Sequence, residues 1–124
     1  MILDAGALVA VDRGRREMMA RLLAAQLEGD ELRTHAMIVA QVWRDPGGHQ
    51  ALLARLLRSI EVIPIDEALG RRAGELLGRS NRSDPIDAAV VLIARDGEVL
   101  LTGDPGDLRP LAEAAGRSIH IVPC

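Results

Sequence analysis

The chain has 124 residues, of which 48% are hydrophobic and 27% are charged, and its formal net charge is −3. This length and composition are typical of one globular domain, and the net charge gives no general attraction to nucleic acid. All fifteen basic residues are Arg, which excludes a phosphate-binding loop with its Lys and lysine-based covalent catalysis. A single cysteine, Cys124, excludes an intrachain disulfide and cysteine metal motifs.

Short apolar runs alternate with helical patterns in the first half of the chain. Ile2-Leu3 is typical of a short buried strand, and a helix is predicted from about Ala7. Residues 15–28 show the spacing of an amphipathic helix. Its predicted inward stripe consists of Met18, Met19, Leu22, Leu23 and Leu27. The other elements predicted in this half are a strand at 32–35, an apolar helix at 36–44 and an amphipathic helix around Leu52, Leu53, Leu56 and Leu57.

The second half continues the alternation. Residues 60–65 predict a strand, placed at a sheet edge because Pro64 cannot donate to a ladder, and 66–80 predict an amphipathic helix. Residues 88–94 fit either a buried strand or a helix. We favour the helix because Asp84-Pro85 is typical of an N-cap followed by proline at the first helical position, with Gly97 as the left-handed residue at the end. The last predicted elements are a strand at 99–102, a helix at 104–116 and a strand at 119–122.

This order of elements predicts the fold class. Strands alternating with helices favour an α/β fold, a three-layer α/β/α sandwich with a mainly parallel sheet of four to five strands. The sequence shows no repeat, linker, leader or membrane-length apolar run, so we expect a single cytoplasmic domain over residues 1–124.

Two segments share the pattern Asp-Pro-x-Asp, at 84–87 and 104–107. In each, the first Asp suits an N-cap, and the second is favoured by the free N–H groups and the dipole of the first helical turn. Capping alone could therefore explain all four aspartates, at roughly 0.5–2 kcal/mol for each cap. Asp4 could cap the helix after it in the same way.

A second interpretation depends on where these residues meet. Asp4 and Asp104 follow strands, so both are expected at the sheet edge where ligands bind in open α/β folds. Asp87 opens a helix that is apolar on every side, and a buried carboxylate is costly without a cation. Converging carboxylates with no interleaved Arg are typical of a site for a hard divalent cation.

These segments resemble the acidic motifs of PIN domains. Residues 2–8 resemble the first strand and its acid, residues 83–91 resemble the helix of the third acid with Asp87 at the acidic position, and residues 100–108 resemble the strand–Thr–x–Asp segment of the fourth. The resemblance covers essentially the whole chain and is strongest to the VapC-type toxins of bacterial toxin–antitoxin pairs. It implies a compact homodimer that cleaves RNA with Mg²⁺ or Mn²⁺ and binds a cognate antitoxin protein.

The resemblance has one departure. Residues 34–44 align with the second acidic motif, but Gln41 stands at the position of its Glu. Gln keeps an oxygen acceptor and loses the charge. An alternative therefore stays open, in which the chain is a weakened or inactive PIN scaffold that binds RNA or a partner protein. Asp84 or Asp107 could compensate for the lost charge.

The resemblance assigns roles to individual residues. The implied reaction is metal-dependent hydrolysis of RNA phosphodiester bonds. The implied catalytic residues and metal ligands are Asp4, Asp87 and Asp104, with Asp84 and Asp107 as further metal ligands and with Gln41 and Thr102 as supporting residues. From their position just before Asp84, Arg79 and Arg82 are predicted to contact RNA phosphates, in preference to the Arg13, Arg15 and Arg16 cluster. The three histidines are scattered and do not form a ligand set.

Two other enzyme classes place an Asp after the first strand. Haloacid-dehalogenase phosphatases require a second Asp two residues later, where this chain has Gly6. Receiver domains require a Lys, which the chain lacks. Both classes are therefore disfavoured.

Overall fold

The computed structural model describes all 124 residues, with five strands and seven α-helices. The strands are β1 (Ile2–Leu3), β2 (Arg33–His35), β3 (Glu61–Ile63), β4 (Val99–Thr102) and β5 (His120–Pro123). The helices are α1 (Ala5–Asp12), α2 (Arg16–Leu27), α3 (Ala36–Val42), α4 (Ala51–Ser59), α5 (Glu67–Ser80), α6 (Pro85–Ile93) and α7 (Pro105–Ala115). A short 3₁₀ turn at Pro46–Gly48 precedes α4. No helix is both long enough and apolar enough to cross a membrane.

The five strands form one sheet in the order β3-β2-β1-β4-β5, and every neighbouring pair is parallel. Because crossovers between parallel strands are right-handed, α1 to α4 cover one face and α5 to α7 cover the other. The helix contacts follow this division, since α1 packs on α2, α3 and α4, while α5, α6 and α7 pack on one another. The predicted three-layer α/β fold is confirmed, and β3 lies at an edge as Pro64 predicted.

The core is aliphatic and is centred on the two middle strands. Ile2 and Leu3 of β1 pair with Leu100 and Leu101 of β4, and all four side chains are completely buried. Strands buried on both faces are expected to be continuously apolar in a parallel sheet. Residues 88–92 of α6 are also buried, which agrees with its all-round apolar sequence.

The ambiguous segment is a helix, as the Asp84-Pro85 pair predicted. The Asp84 carboxylate accepts hydrogen bonds from the N–H groups of Ile86, at 2.8 Å, and Asp87, at 3.3 Å. The expectation for Gly97 was wrong. Its φ is +81°, but α6 already ends at Ile93, and Gly97 instead serves a turn in which the Glu98 N–H donates to the Arg95 carbonyl.

The predicted inward stripe of α2 was also wrong in part. Met18 and Leu22 are buried, whereas Leu23 and Leu27 are 56% and 79% exposed. The buried residues Met18, Leu22 and Ala25 recur every three to four positions, so α2 contacts the core through a narrow face. Leu23 and Leu27 lie outside that face.

Candidate metal centre

Two of the predicted acidic residues, Asp4 and Asp104, come just after the two central strands. The chain leaves β1 toward β2 on one side, and it leaves β4 toward β5 on the other side. The carboxyl ends of β1 and β4 therefore flank the point at which the strand order reverses, where open α/β sheets form their ligand crevice. Asp4 directly follows β1, and Thr102 ends β4.

Asp4 is fixed in place by the neighbouring strand. The residue is 8% exposed, its N–H donates to the Leu101 carbonyl at 2.9 Å, and its Oδ2 accepts a hydrogen bond from the Thr102 hydroxyl at 2.7 Å. Asp4 occupies the N-cap position of α1 but makes no capping hydrogen bond. Its Oδ1 accepts no hydrogen bond and is not fully buried. Capping therefore does not account for Asp4, and one of its oxygens is free to bind a ligand.

The turns after β1 and β4 touch each other through two glycines. A Cβ added to Gly6 would lie 2.9 Å from the backbone nitrogen of Gly103. Real Cβ atoms do not approach a backbone nitrogen so closely, so Gly6 permits the contact that draws Asp4 and Asp104 toward each other.

The repeated Asp-Pro-x-Asp pattern leads to two different local structures. Asp84 caps α6 with its side chain, whereas Asp104, at the N-cap position of α7, forms no capping hydrogen bond. The backbone N–H of Asp104 instead donates to the Thr102 hydroxyl at 3.0 Å. Thr102 thus contacts both the Asp4 side chain and the Asp104 backbone, and the exposed Asp104 carboxylate is not used in capping.

Asp87 and Asp107 lie in the first turns of α6 and α7, which pack against each other. Both line a cavity of about 170 Å³, together with Asp84 and Arg82. Asp87 is half-buried and Asp107 is exposed. This cavity brings three of the five predicted carboxylates to one place.

The electrostatics of Asp87 connect all five carboxylates. Burial, together with the charges of Asp84, Asp4, Asp107 and Asp104, raises the pKa of Asp87 to about 6. None of the five carboxylates forms an ion pair with an Arg. Like charges that repel one another with no neutralising cation are the usual setting of a cation site.

The carboxylates do not form a preassembled ligand set. No group of three His, Cys, Asp or Glu side chains is arranged to hold a metal ion. Mg²⁺, however, usually keeps several waters and is bound through one or two carboxylates together with substrate phosphates. The all-oxygen donor set and its uncompensated charge therefore fit such an ion, whereas a site built wholly from protein ligands is not present.

The remaining predicted residues lie on the surface. Gln41 is exposed near the end of α3, and its side chain forms no hydrogen bond. Arg79, in the last turn of α5, and Arg82 are both exposed and unpaired, and Arg82 lines the acidic cavity. Arg82 is thus the predicted RNA contact that lies beside the carboxylates.

His35 is a residue of this region to which the sequence assigned no role. It is completely buried at the end of β2, where its Nδ1 accepts from the N–H groups of Met37 and Ile38 and caps α3. Nδ1 is therefore the unprotonated nitrogen, and Nε2–H donates to the Ile86 carbonyl at 3.0 Å. Burial lowers the pKa of His35, which favours this neutral form. His35 ties the start of α3 to the residue just before Asp87.

No protein-family profile matches the sequence, and no curated protein matches it. The structure does match a chain in the crystal structure of VapBC2 from Rickettsia felis bound to a DNA fragment from their promoter. The match covers 99% of this chain and 97% of that chain, with a TM-score of 0.66 and 14% sequence identity. At this identity the likeness shows the fold, and the predicted PIN-like architecture is confirmed.

Proposed function

We propose that this chain is a metal-dependent endoribonuclease that hydrolyses RNA phosphodiester bonds with Mg²⁺ or Mn²⁺, and that it acts as the toxin of a type II toxin–antitoxin pair. The observation that carries the proposal is that Asp84, Asp87 and Asp107 line one cavity without an ion pair to Arg. Burial, and then the charges of Asp84, Asp4, Asp107 and Asp104, raise the pKa of Asp87. Of the three carboxylates at N-cap positions, only Asp84 caps its helix with its side chain, whereas Asp4 and Asp104 do not. Helix capping therefore does not explain why the carboxylates are held near one another, and a scaffold that binds no cation would gain nothing from their repulsion.

Asp4 and Asp87 are proposed as the principal ligands, with Asp104 acting directly or through water and with Asp84 and Asp107 as further candidates. When bound, the metal ion supplies Lewis-acid polarisation of a phosphoryl oxygen and lowers the pKa of an attacking water. Thr102 holds Oδ2 of Asp4 and leaves Oδ1 free for ligation. Thr102 therefore orients a ligand, in the manner of residues that surround a metal site without touching the ion.

RNA binding and partner binding extend the proposal. Arg82, beside the acidic cavity, and Arg79 would contact the phosphates on either side of the cleaved bond. The VapBC2 structure that shares this fold supports pairing with a cognate antitoxin. The homodimer rests on the PIN resemblance alone.

The alternative function is a PIN scaffold that binds RNA or a partner protein without cleaving RNA. Two observations favour it. Gln41 supplies no charge at the position of the second acid, and no three acidic side chains are arranged as metal ligands. The variant Gln41→Glu distinguishes the two functions, because restoring the acid should increase cleavage by a weakened enzyme and should leave a pure scaffold inactive.

The test is cleavage of labelled cellular RNA by the wild type, Asp4→Asn and Asp87→Asn, each with Mn²⁺ and with EDTA. We expect cleavage only by the wild type and only with Mn²⁺. Asp30→Asn, a change of the same charge at an exposed position outside the site, serves as the control and should cleave normally. Cleavage that persists in EDTA, or in folded Asp4→Asn, would contradict the proposal.

A further inference from the structure

A second cavity lies beside the first two helices and differs in charge from the acidic one. Its volume is about 430 Å³, and it is lined by residues of α1, of α2 and of the turn between them, together with Cys124. Its apolar lining of Val9, Ala10 and Met18 is half-buried or buried. The lining also includes three exposed Arg side chains: Arg13, Arg15 and Arg21.

The three guanidinium groups have no partners within the protein. None forms an ion pair, and none donates a hydrogen bond to another residue. Glu17 is the only acidic residue in the lining. The cavity thus gathers an excess of positive charge in a chain whose net charge is −3. Such a surface attracts an anionic ligand.

The wall of this cavity is also part of the candidate metal centre. Gly6 lines the cavity, follows Asp4 by two residues and touches the Gly103 backbone, which directly precedes Asp104. The Cys124 sulfur lies 3.4 Å from the position of a Gly6 Cβ. Burial raises the pKa of the Cys124 thiol, the charge of Asp4 raises it further, and the charge of Arg21 lowers it. Gly6 thus contacts the turn that precedes Asp104 and also lines the cavity of the three Arg side chains.

We propose that Arg13, Arg15 and Arg21 form a subsite that binds the phosphodiester backbone of the single-stranded RNA cleaved at the neighbouring carboxylates. The inference rests on the proposed ribonuclease function and assigns a path to its substrate. Arg is suited to phosphate because its planar fork donates two parallel hydrogen bonds. Trp43 is the only aromatic residue in the chain, so base stacking contributes little and phosphate contacts must supply most of the affinity.

The test measures the binding of fluorescein-labelled oligouridylate in EDTA, where no metal-dependent cleavage occurs. It compares the wild type with the triple variant Arg13→Gln/Arg15→Gln/Arg21→Gln. Each phosphate contact with a single strand contributes about 0.7 to the slope of log K against log salt, so three contacts contribute about 2. We expect the slope to fall by about 2 and the affinity near 0.1 M salt to fall roughly 100-fold, as that slope implies.

A second triple variant, Arg55→Gln/Arg58→Gln/Arg72→Gln, provides the matched control. These three Arg are exposed on α4 and α5 and form no ion pair, so the variant changes the net charge equally. It should keep most of the wild-type affinity. Equal losses of affinity in the two triple variants would show that only the net charge matters, and they would overturn the subsite. Unchanged binding by the first variant, or no binding by the wild type, would overturn it as well.

Two further outcomes separate this inference from the ribonuclease proposal. A wild type that binds oligouridylate through the three Arg but never cleaves RNA with Mn²⁺ would contradict the nuclease and keep the subsite. Cleavage with an unchanged KM in the first triple variant would contradict the subsite alone. Binding of oligoglutamate without binding of oligouridylate would assign the cavity to an acidic protein partner and overturn the proposal.

Discussion

The Thr102 hydroxyl donates a 2.7 Å hydrogen bond to Oδ2 of Asp4, across 98 positions of sequence. The same hydroxyl accepts from the Asp104 N–H at 3.0 Å. One buried Thr therefore joins the residues that follow the two central strands. Because neither Asp4 nor Asp104 caps its own helix, this link sets the geometry of the candidate site.

Replacing Thr102 with Val should destabilise the protein by about 1–3 kcal/mol. Val keeps the shape of the side chain and removes the hydroxyl, so the buried Asp4 carboxylate loses a donor and the Asp104 N–H loses its acceptor. Urea unfolding measures the change, and Thr102→Ser, which keeps the hydroxyl, should lose less. A Thr102→Val protein as stable as the wild type would show that the bond contributes nothing.

Replacing Gly6 with Ala should also cost about 1–3 kcal/mol, because the new Cβ forces apart two segments of backbone. The matched control is Gly74→Ala in α5, where nothing lies within 4 Å of the added Cβ. That change should be neutral or should stabilise the protein by about 0.5–1 kcal/mol, since Ala favours a helix over Gly. Thermal unfolding of the two variants compares them directly, and a similar effect of both substitutions would rule out a tight Gly6–Gly103 contact.

The Asp87→Asn substitution should stabilise the metal-free protein at neutral pH. The pKa of Asp87 is raised to about 6 in the folded protein, against about 4 in the unfolded chain. The folded state therefore binds more protons between these values, and the contribution of Asp87 to stability falls as pH rises from about 4 to 6. Urea unfolding in EDTA should show a gain for Asp87→Asn above pH 6 that shrinks toward pH 4. Asp30→Asn should show no such trend. If the difference in unfolding free energy between Asp87→Asn and the wild type did not change with pH, the pKa of Asp87 would not be raised by burial and by the neighbouring carboxylates.

His35 should make the opposite contribution. Burial lowers the pKa of His35, so the unfolded chain takes up the proton first, near its ordinary value of about 6.5. Stability is then lost as pH falls below that value. In the Asp87→Asn background, the further change His35→Asn should remove this loss, although it also removes the bond to the Ile86 carbonyl. An identical acid dependence with and without His35 would contradict a buried neutral imidazole.

Local rules predicted most of the fold. The Asp84-Pro85 pair correctly indicated a helix at α6, and Pro64 correctly indicated an edge strand. The two segments share the pattern Asp-Pro-x-Asp, yet only Asp84 caps its helix with its side chain. The Asp104 N–H instead donates to the Thr102 hydroxyl, which also donates to Asp4 and so joins distant parts of the chain.

His35 shows the same limit of sequence reasoning. Its capping of α3 is local, but its bond to Ile86 spans 51 positions, and no sequence pattern marks that partner. The pairing depends on β2 and α6 meeting in the folded chain, which they do. The Arg-lined cavity likewise depends on the packing of α1 against α2 and on the return of the chain to Cys124.

The central claim is that the carboxylates of Asp4 and Asp87 converge on a divalent cation. Calorimetric titration of Mn²⁺ into the wild type, Asp4→Asn and Asp87→Asn tests it without any RNA. We predict binding by the wild type that is lost in both variants while their circular dichroism stays unchanged. No binding by folded wild type up to about 10 mM Mn²⁺, a limit of about −2.7 kcal/mol, would contradict the claim and favour a scaffold that does not cut RNA.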